Sequence, residues 1–194
     1  MHATTRSRGH SRLLAVLLLV AALVATATVG GHTETAQGAT SSAIYGTCSG
    51  QKQGVIKGDV TAKGHEGQWA ATSLADALTS PRDPASGLPT GQIVHSPIKI
   101  TMLVGPQAPK LINSLTTNEN LTKCRFDFFR PTPSGTMENY LRIELSNASV
   151  ASYALSGPAT STPQTTFTFT YQHIVRTWLL GGIVSTDDWG ARPA

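Results

Sequence analysis

The stretch LTKCRFDFFR, residues 121–130, is the part of the sequence that most directly indicates the fold. Within it, Cys124, Phe126 and Phe128 occupy every second position, and charged residues stand between them. A period of two places one side of a β-strand on a core and the other side in water. Antiparallel sheets usually show this alternation, whereas parallel strands show continuous apolar runs. The stretch therefore predicts an antiparallel strand with one buried face.

The same alternation recurs further along the chain. It is clear in NYLRIELS, residues 139–146, and in TTFTFTYQ, residues 165–172. Weaker strand candidates cover residues 44–49, 69–78 and 94–104, the last with a proline near its start. These segments together predict a protein in which antiparallel strands form most of the body.

One helix is predicted, from about Pro109 to Asn118. Pro109 stands where a first-turn proline is tolerated, and Leu111, Ile112 and Leu115 share one face of the helix. About three turns are too few for a helix that is stable alone, so it must pack on the strands. The residues thus predict a mainly β domain that carries one short helix.

The first 27 residues have the organisation of a secretory signal peptide. Arg6, Arg8 and Arg12 form a basic region, the apolar run LLAVLLLVAALV follows, and Ala25–Ala27 fits an A-x-A cleavage site. A membrane anchor is the alternative, although the apolar run is marginal against the roughly 20 residues that a spanning helix needs. We therefore expect a Sec-type signal and a secreted protein, located outside the cell or in the cell envelope.

The remainder of the chain is nearly neutral. Residues 28–42 are small, polar and aperiodic, which predicts a disordered leader ahead of an ordered domain over residues 43–194. Without the three signal arginines, the chain has 12 basic and 11 acidic residues. Such a balance offers no basic stripe for a nucleic acid and no polybasic segment for an anionic membrane. Neither partner is expected after signal cleavage.

Cys48 and Cys124 are the two cysteines of the chain. Export permits a disulfide, and an even count agrees with one. The bond would close a long loop and add about 4.5 kcal/mol by the chain-entropy estimate. Two buried free thiols, or one reactive and one inert cysteine, are the alternatives. The bridge is favoured because small exported domains often need a covalent cross-link.

Residues 80–97, SPRDPASGLPTGQIVHSP, hold four prolines and two glycines. The preceding residues 43–80 are too few for an independent domain, so this stretch is interpreted as an ordered, extended loop within one β domain. Prolines reduce the entropy lost on ordering, and Gly87 and Gly91 permit turns with positive φ. Long loops of this kind tend to serve binding or assembly.

Catalytic chemistry has weak support. Residues 46–50 match G-x-C-x-G, a variant of the nucleophile elbow with Cys48 as nucleophile. That motif works at a strand-to-helix turn with a base and an acid arriving later, and no helical pattern follows here. A hydrolase is therefore the least favoured hypothesis, and no catalytic residue is predicted.

Metal and cofactor sites are not predicted either. His65, His95 and His173 lack the spacing of metal ligands and are interpreted as surface or hydrogen-bonded residues. Asp187 and Asp188 lack the alternating acidic spacing of a calcium loop and are interpreted as part of a solvated turn.

Several segments together resemble the haemolysin-coregulated protein (Hcp) family, the tube proteins of type VI secretion systems. They are PRDPASGLPTGQIVHSPIKIT (81–101), PKLINSLTTNENLTKCRFDFFR (109–130), YLRIELSNASVASY (140–153), and YQHIVRTW with GGIVSTDDW near the end. The similarity is collinear from about residue 43 to residue 189, which is essentially the whole domain.

The resemblance implies two antiparallel sheets closed into a squat β-barrel with one short helix on its side. It also implies homo-oligomers, namely hexameric rings that stack into a hollow tube and can carry effector cargo, and no enzymatic activity. By analogy, the loop of residues 80–97 would project from the barrel and contact a neighbouring subunit or ring. The loop residues assigned to that contact are Arg82, Asp83, Pro84, Gly87 and Gly91.

The export signal departs from the family pattern. The resemblance implies a tube protein that assembles in the cytosol and carries no Sec-type signal. A subunit threaded unfolded across a membrane cannot meet a cytosolic baseplate. Two functions therefore stay open: a secreted ring- or tube-forming protein, and an exported stand-alone β-barrel that serves binding or adhesion.

Overall fold

The structure, a computed structural model, describes residues 41–190 of the 194-residue chain. The predicted signal peptide, residues 1–27, and most of the predicted leader, residues 28–42, lie outside the described residues. The first strand of the described residues begins at Ala43, and the predicted boundary between leader and domain stays a prediction.

The described residues form eleven strands and one helix. In chain order they are β1 (Ala43–Gly50), β2 (Gly54–Ile56), β3 (Trp69–Ala75), β4 (Leu78–Thr79), β5 (Val94–His95), β6 (Ile98–Leu103), α1 (Gln107–Thr116), β7 (Leu121–Pro131), β8 (Met137–Ser156), β9 (Gln164–Thr170), β10 (His173–Trp178) and β11 (Ile183–Asp188).

Six of these strands close into a barrel. The hydrogen-bonded order is β8, β7, β1, β3, β6 and β9, and β9 pairs again with β8, so the ring has no free edge. Every pairing in the ring is antiparallel. β8 makes closure possible because its 20 residues pair with β7 in the first part of the strand, up to Ala148, and with β9 in the second, from Ser149. The predicted antiparallel barrel with one short helix is confirmed.

Alternating apolar residues fill the barrel interior, as their spacing predicts. Phe126 of β7, Leu145 of β8 and Phe167 of β9 are each fully buried, and polar residues flank them on the outer face. Burial of each such side chain contributes about 1.5–3 kcal/mol. The largest fully buried side chains are Trp69, Phe126, Phe167, Phe169, Ile56, Ile98, Ile100, Met102, Leu111, Leu121, Leu145 and Ile174.

Helix α1 lies close to its predicted position. It begins at Gln107, two residues before Pro109, and ends at Thr116, two residues before the predicted end. Leu111 is fully buried, and the helix packs against β8 and β2. Asn118, just beyond the helix, has a φ of 49°, which ends the helical path. Across residues 41–190 no helix combines the length and apolar character needed to span a membrane.

The strand predicted over residues 94–104 is interrupted. β5 ends at His95 and β6 begins at Ile98, with Ser96 and Pro97 between them. Pro97 has no N–H to donate and restricts the backbone of Ser96, so the chain changes direction there. The strand predicted over residues 69–78 likewise ends early, at Ala75.

The two cysteines meet inside the barrel. Cys48 of β1 lies directly opposite Cys124 of β7, with their Cα atoms 4.1 Å apart, and the sulfur atoms form a disulfide bond. Neither residue has solvent-exposed surface. The alternative of free thiols does not describe this structure, since both cysteines are bonded.

A buried carboxylate organises the turn between β1 and β2. Glu119 is 3% exposed, and its Oε1 accepts hydrogen bonds from the backbone N–H groups of Lys52 (2.6 Å) and Gln53 (2.8 Å). Its Oε2 accepts a third from Gln53 Nε2 at 2.7 Å. A Cβ atom on Gly50 would lie 2.5 Å from Oε1, so the site requires glycine there. The Gln53 N–H is the main reason that the pKa of Glu119 lies below its ordinary value, and burial opposes it.

Replacement of Glu119 by glutamine is expected to lower the free energy of unfolding by about 1–3 kcal/mol at pH 7, because the turn loses charge-assisted hydrogen bonds. The carboxylate has a lower pKa folded than unfolded, so its contribution is present above the unfolded value and lost as pH falls through the folded one. Urea unfolding of both proteins at several pH values should show the difference shrinking below about pH 4.5.

The matched control for this experiment is Glu138→Gln. Glu138 pairs with Arg130 at 2.8 Å, but its side chain is 32% exposed. Exposed ion pairs contribute about 0–1 kcal/mol, so this variant should change stability little. Equal stability of Glu119→Gln and the unmodified protein at pH 7 would show that the turn does not depend on the carboxylate.

Candidate assembly surface

A β-hairpin, called here the arm, comprises residues 78–95 and leaves the barrel between β3 and β6. β4 and β5 pair at its base. Further out, the N–H of Thr90 donates to the carbonyl of Pro81 at 2.9 Å, and Arg82 forms an isolated bridge with Pro89. The stretch that the sequence predicts to be an ordered, extended loop is thus an antiparallel hairpin.

Local hydrogen bonds close the tip of the arm. The Asp83 Oδ1 atom accepts from the N–H of Ala85 (3.1 Å) and from the N–H (2.7 Å) and hydroxyl (2.8 Å) of Ser86. The N–H of Gly87 donates to the Asp83 carbonyl at 2.9 Å, and Gly87 has a φ of 70°, which favours glycine. The Ser86 N–H is the main reason that the pKa of Asp83 is lowered. The tip therefore keeps its shape without a partner.

The loop residues predicted to contact another subunit all lie on this arm. Asp83 and Gly87 form the turn, and Arg82 Nη1 donates to the Gly87 carbonyl at 3.4 Å. Gly91 lies on the returning side with a φ of 98°. The structure gives these residues a role in shaping the arm, and their contact with a second subunit stays a prediction.

The arm exposes four apolar residues that the sequence pattern does not indicate as contact residues. They are Leu78, Leu88, Ile93 and Val94, with exposed fractions from 39% to 64%. Exposed apolar surface on an ordered element is typical of a contact site, because water is released when a partner covers it. Their sequence signal is faint, since Leu78 and Leu88 stand singly and Ile93 and Val94 form one short pair among prolines, glycines and polar residues, where no alternation can be recognised.

The C-terminal strand β11 holds one side of the arm's base. The side chain of His95 is 4% exposed; its Nδ1 lies 3.1 Å from the Tyr171 hydroxyl and its Nε2 3.5 Å from Asp187 Oδ2. Its ring stacks on Trp189 with the centroids 5.3 Å apart. The interpretation of Asp187 as part of a solvated turn is therefore wrong, because it lies in β11 and faces His95.

An ion pair holds the other side of the base. Arg176 of β10 makes two hydrogen bonds to the carboxylate of Asp76, which follows β3 and precedes the arm, and the Nη2–Oδ1 distance is 2.9 Å. Both side chains are mostly buried. The hydrogen bonds that Arg176 donates to Asp76 are the main reason that the pKa of Arg176 is raised. Both sides of the arm's base are thus fixed to the β10–β11 hairpin and the residues that flank it.

The candidate chemical residues occupy structural roles. Cys48 is buried and bonded to Cys124, so it is not available as a nucleophile. His65 stacks on Tyr45, with ring centroids 4.0 Å apart, and His173 pairs with Asp188 at 2.6 Å. Within residues 41–190, no three side chains of the metal-ligating types come together.

Comparisons with known proteins match almost the whole described domain. A family model described as "Type VI secretion system effector, Hcp" matches residues 45–178, more than half of the chain. A protein of Pseudomonas aeruginosa named "Major exported protein" is 34% identical over 161 residues, which cover 75% of this chain and 94% of that protein.

Solved structures show the same fold. One described as "Crystal structure of Hcp protein" has a TM-score of 0.71 at 27% identity and covers 76% of this chain and 99% of its own. Another, "Secreted protein Hcp3 from Pseudomonas aeruginosa", has a TM-score of 0.66 at 26% identity and covers 78% of this chain and 100% of its own.

Proposed function

The chain belongs to the Hcp family of type VI secretion proteins, and from this premise we propose that it acts, once exported, as a subunit that assembles with its own copies into rings or tubes. The family match runs from β1 to the last residue of β10, so it includes the barrel and the arm. The family is a structural one, and its members act through contact surfaces rather than through a reaction.

The ordered arm is the observation that carries this proposal. Its tip and base are fixed by hydrogen bonds within one subunit, as the contacts of Asp83 and His95 show. A surface that is already ordered loses little conformational entropy when it binds. The exposed leucine at the tip, Leu88, has an exposed fraction of 64% and offers apolar area to a neighbour. A head-to-tail contact of this kind closes into a ring when the rotation between subunits permits it.

The β10–β11 hairpin offers a second contact surface. Among residues 41–190, β11 pairs with β10 on one side only, so its other side presents backbone groups that no described strand pairs. Ile183 and Val184 on this strand are 68% and 55% exposed. Because barrel closure removes the edges of the six ring strands, β11 is a natural place for subunit contacts. A ring would enclose a lumen in which an effector could be held by many weak contacts.

Export is part of the proposal. The relative from Pseudomonas aeruginosa is named as an exported protein. In this chain, residues 1–27 provide the proposed Sec-type signal, and the disulfide inside the barrel agrees with an oxidising destination.

Light scattering on the purified protein at micromolar concentration is expected to show a species several times the mass of one chain. Replacement of Leu88 by serine should raise the concentration needed for assembly about tenfold or more, because truncation of a central apolar contact residue costs about 1–2 kcal/mol. The matched control is Leu155→Ser, which removes a leucine of similar exposure, 56%, from β8. A monomer at every concentration would contradict the proposal.

The alternative function is an exported stand-alone barrel that binds a ligand or a surface. The predicted signal peptide favours it, because a subunit secreted unfolded cannot join a cytosolic machine. A monomer at every concentration in the light-scattering experiment would favour this alternative over assembly.

A further inference from the structure

β8 changes its pairing partner in the middle of the strand. Ser146 is the last residue opposite β10, and Ser149 is the first opposite β9. Between them, Asn147 has a φ of 49°, a conformation that asparagine tolerates better than most residues. Gln172, in the connection from β9 to β10, donates its N–H to the carbonyls of Ser146 and Asn147, each at 3.2 Å. β9 and β10 therefore follow one another along β8 with only two residues between them, and this junction opposite Asn147 is called here the fork.

A cleft of about 490 Å³ lies at the fork. Its lining includes three amides, two hydroxyls and an exposed indole, and none of its lining residues is charged. These residues are Asn120, Asn147, Gln172, Ser149, Thr170 and Trp189.

The amides of the cleft hold one another in place. Asn147 Nδ2 donates to Gln172 Oε1 at 3.0 Å, and Asn120 Nδ2 donates to Asn147 Oδ1 at 3.4 Å. An amide can donate twice and accept twice, so each of the three keeps hydrogen-bonding capacity for a ligand. The chain of contacts orients that capacity before a ligand arrives, which lowers the entropic cost of binding.

The indole of Trp189 is also held. The backbone N–H of Trp189 donates to the Gln172 carbonyl at 2.9 Å. Its ring stacks on His95 and meets the edge of Tyr171, with centroids 5.0 Å apart, yet the residue stays 36% exposed. A partly exposed aromatic ring beside fixed amides suits a ligand with one apolar face and several polar groups.

We propose that this cleft binds a neutral saccharide. Amides and hydroxyls can exchange hydrogen bonds with sugar hydroxyls, and the indole can cover the C–H face of a sugar ring. An anionic ligand would find no basic side chain in the lining, and a metal ion would find no carboxylate. The site goes beyond the proposed assembly function and does not depend on it, since it lies on one subunit.

Titration of the purified protein with maltotriose, cellotriose and chitotriose tests the site, with trigalacturonate as the anionic comparison. Saturation-transfer NMR of the sugars and tryptophan fluorescence report binding. At least one neutral trisaccharide is expected to bind. Trigalacturonate is expected to bind at least about tenfold more weakly than that sugar. Absence of binding by all three neutral sugars, or tighter binding of trigalacturonate, would overturn the proposal.

The variant Asn147→Gly removes the central amide without straining the backbone, because glycine accepts a φ of 49°. Asn118→Gly is the matched control, since Asn118 has the same φ and lies outside the cleft lining. We expect Asn147→Gly to weaken sugar binding about tenfold and Asn118→Gly to leave it unchanged. Equal affinity of the two variants would overturn the site. Unfolding midpoints of both variants show whether the fold is kept.

Discussion

Replacement of both Cys48 and Cys124 by alanine is expected to lower the free energy of unfolding by about 3–5 kcal/mol. The bond joins residues separated by 76 positions, so its loss frees a long loop in the unfolded chain. The chain-entropy estimate for such a loop is about 4.5 kcal/mol. Both residues are fully buried, so truncation also removes packing contacts inside the barrel.

Urea unfolding of the oxidised protein, the same protein with a thiol reductant, and the double variant measures this effect. The reductant should destabilise the unmodified protein and leave the double variant unchanged, which separates loss of the bond from other effects of the reagent. A difference below about 1 kcal/mol between the oxidised protein and the double variant would contradict the expected role of the bond.

The disulfide also makes the stability of the barrel differ before and after export. Cytosolic thiols are kept reduced, so the barrel would lack this contribution to stability before export. Under the proposed Sec-type export, a less stable barrel is easier to keep unfolded for passage across a membrane. The bond would then form at an oxidising destination, where the full stability of the barrel is reached.

Replacement of Trp69 by alanine is expected to lower the free energy of unfolding by about 3–5 kcal/mol. Trp69 is fully buried at the start of β3, and its ring meets Phe126 with the centroids 6.3 Å apart. Its Nε1–H donates to the carbonyl of Ile56 at 2.8 Å and so ties β2 to β3. The truncation leaves a large cavity and removes the side-chain hydrogen bond to the Ile56 carbonyl.

Two variants separate these contributions. Trp69→Phe keeps a buried ring but loses the hydrogen bond to the Ile56 carbonyl, so a loss of about 1–3 kcal/mol is expected. Trp178→Ala removes the same side-chain type at a position that is 38% exposed, and should cost about 1 kcal/mol or less. Thermal or urea unfolding of the three variants checks this order. Equal losses for Trp69→Ala and Trp178→Ala would show that burial does not determine the effect.

The strands that the sequence predicted most clearly are those whose burial follows a local period. Residues 121–130, 139–146 and 165–172 alternate, and all three segments lie in or overlap barrel strands. The strand predicted over residues 94–104 is interrupted because Pro97 has no backbone N–H to donate to a strand ladder, even though the pattern around it is apolar. Alternation shows that one face is buried, but it does not say which strands are neighbours.

Only part of the structure of the arm could be predicted from the sequence. Its prolines and glycines indicated an ordered, extended segment, because their backbone preferences are properties of single residues. The exposure of Leu88 and the burial of His95 were not predictable, since each depends on residues from other strands. The same holds for the polar cleft, where Asn120, Asn147 and Gln172 meet from three separate parts of the chain.

The sequence by itself determined the fold class, the one short helix, the disulfide as the favoured cysteine pairing, and the family resemblance. The strands and the helix follow from residue type and spacing, the cysteine pairing from an even count in an exported chain, and barrel closure from the family resemblance. The tertiary structure decided how β8 closes the barrel by serving two partners, which apolar residues of the arm face water, and how the cleft at the fork is assembled. Those features are contacts between residues distant in sequence, and their free energies appear only when the folded chain brings the residues together.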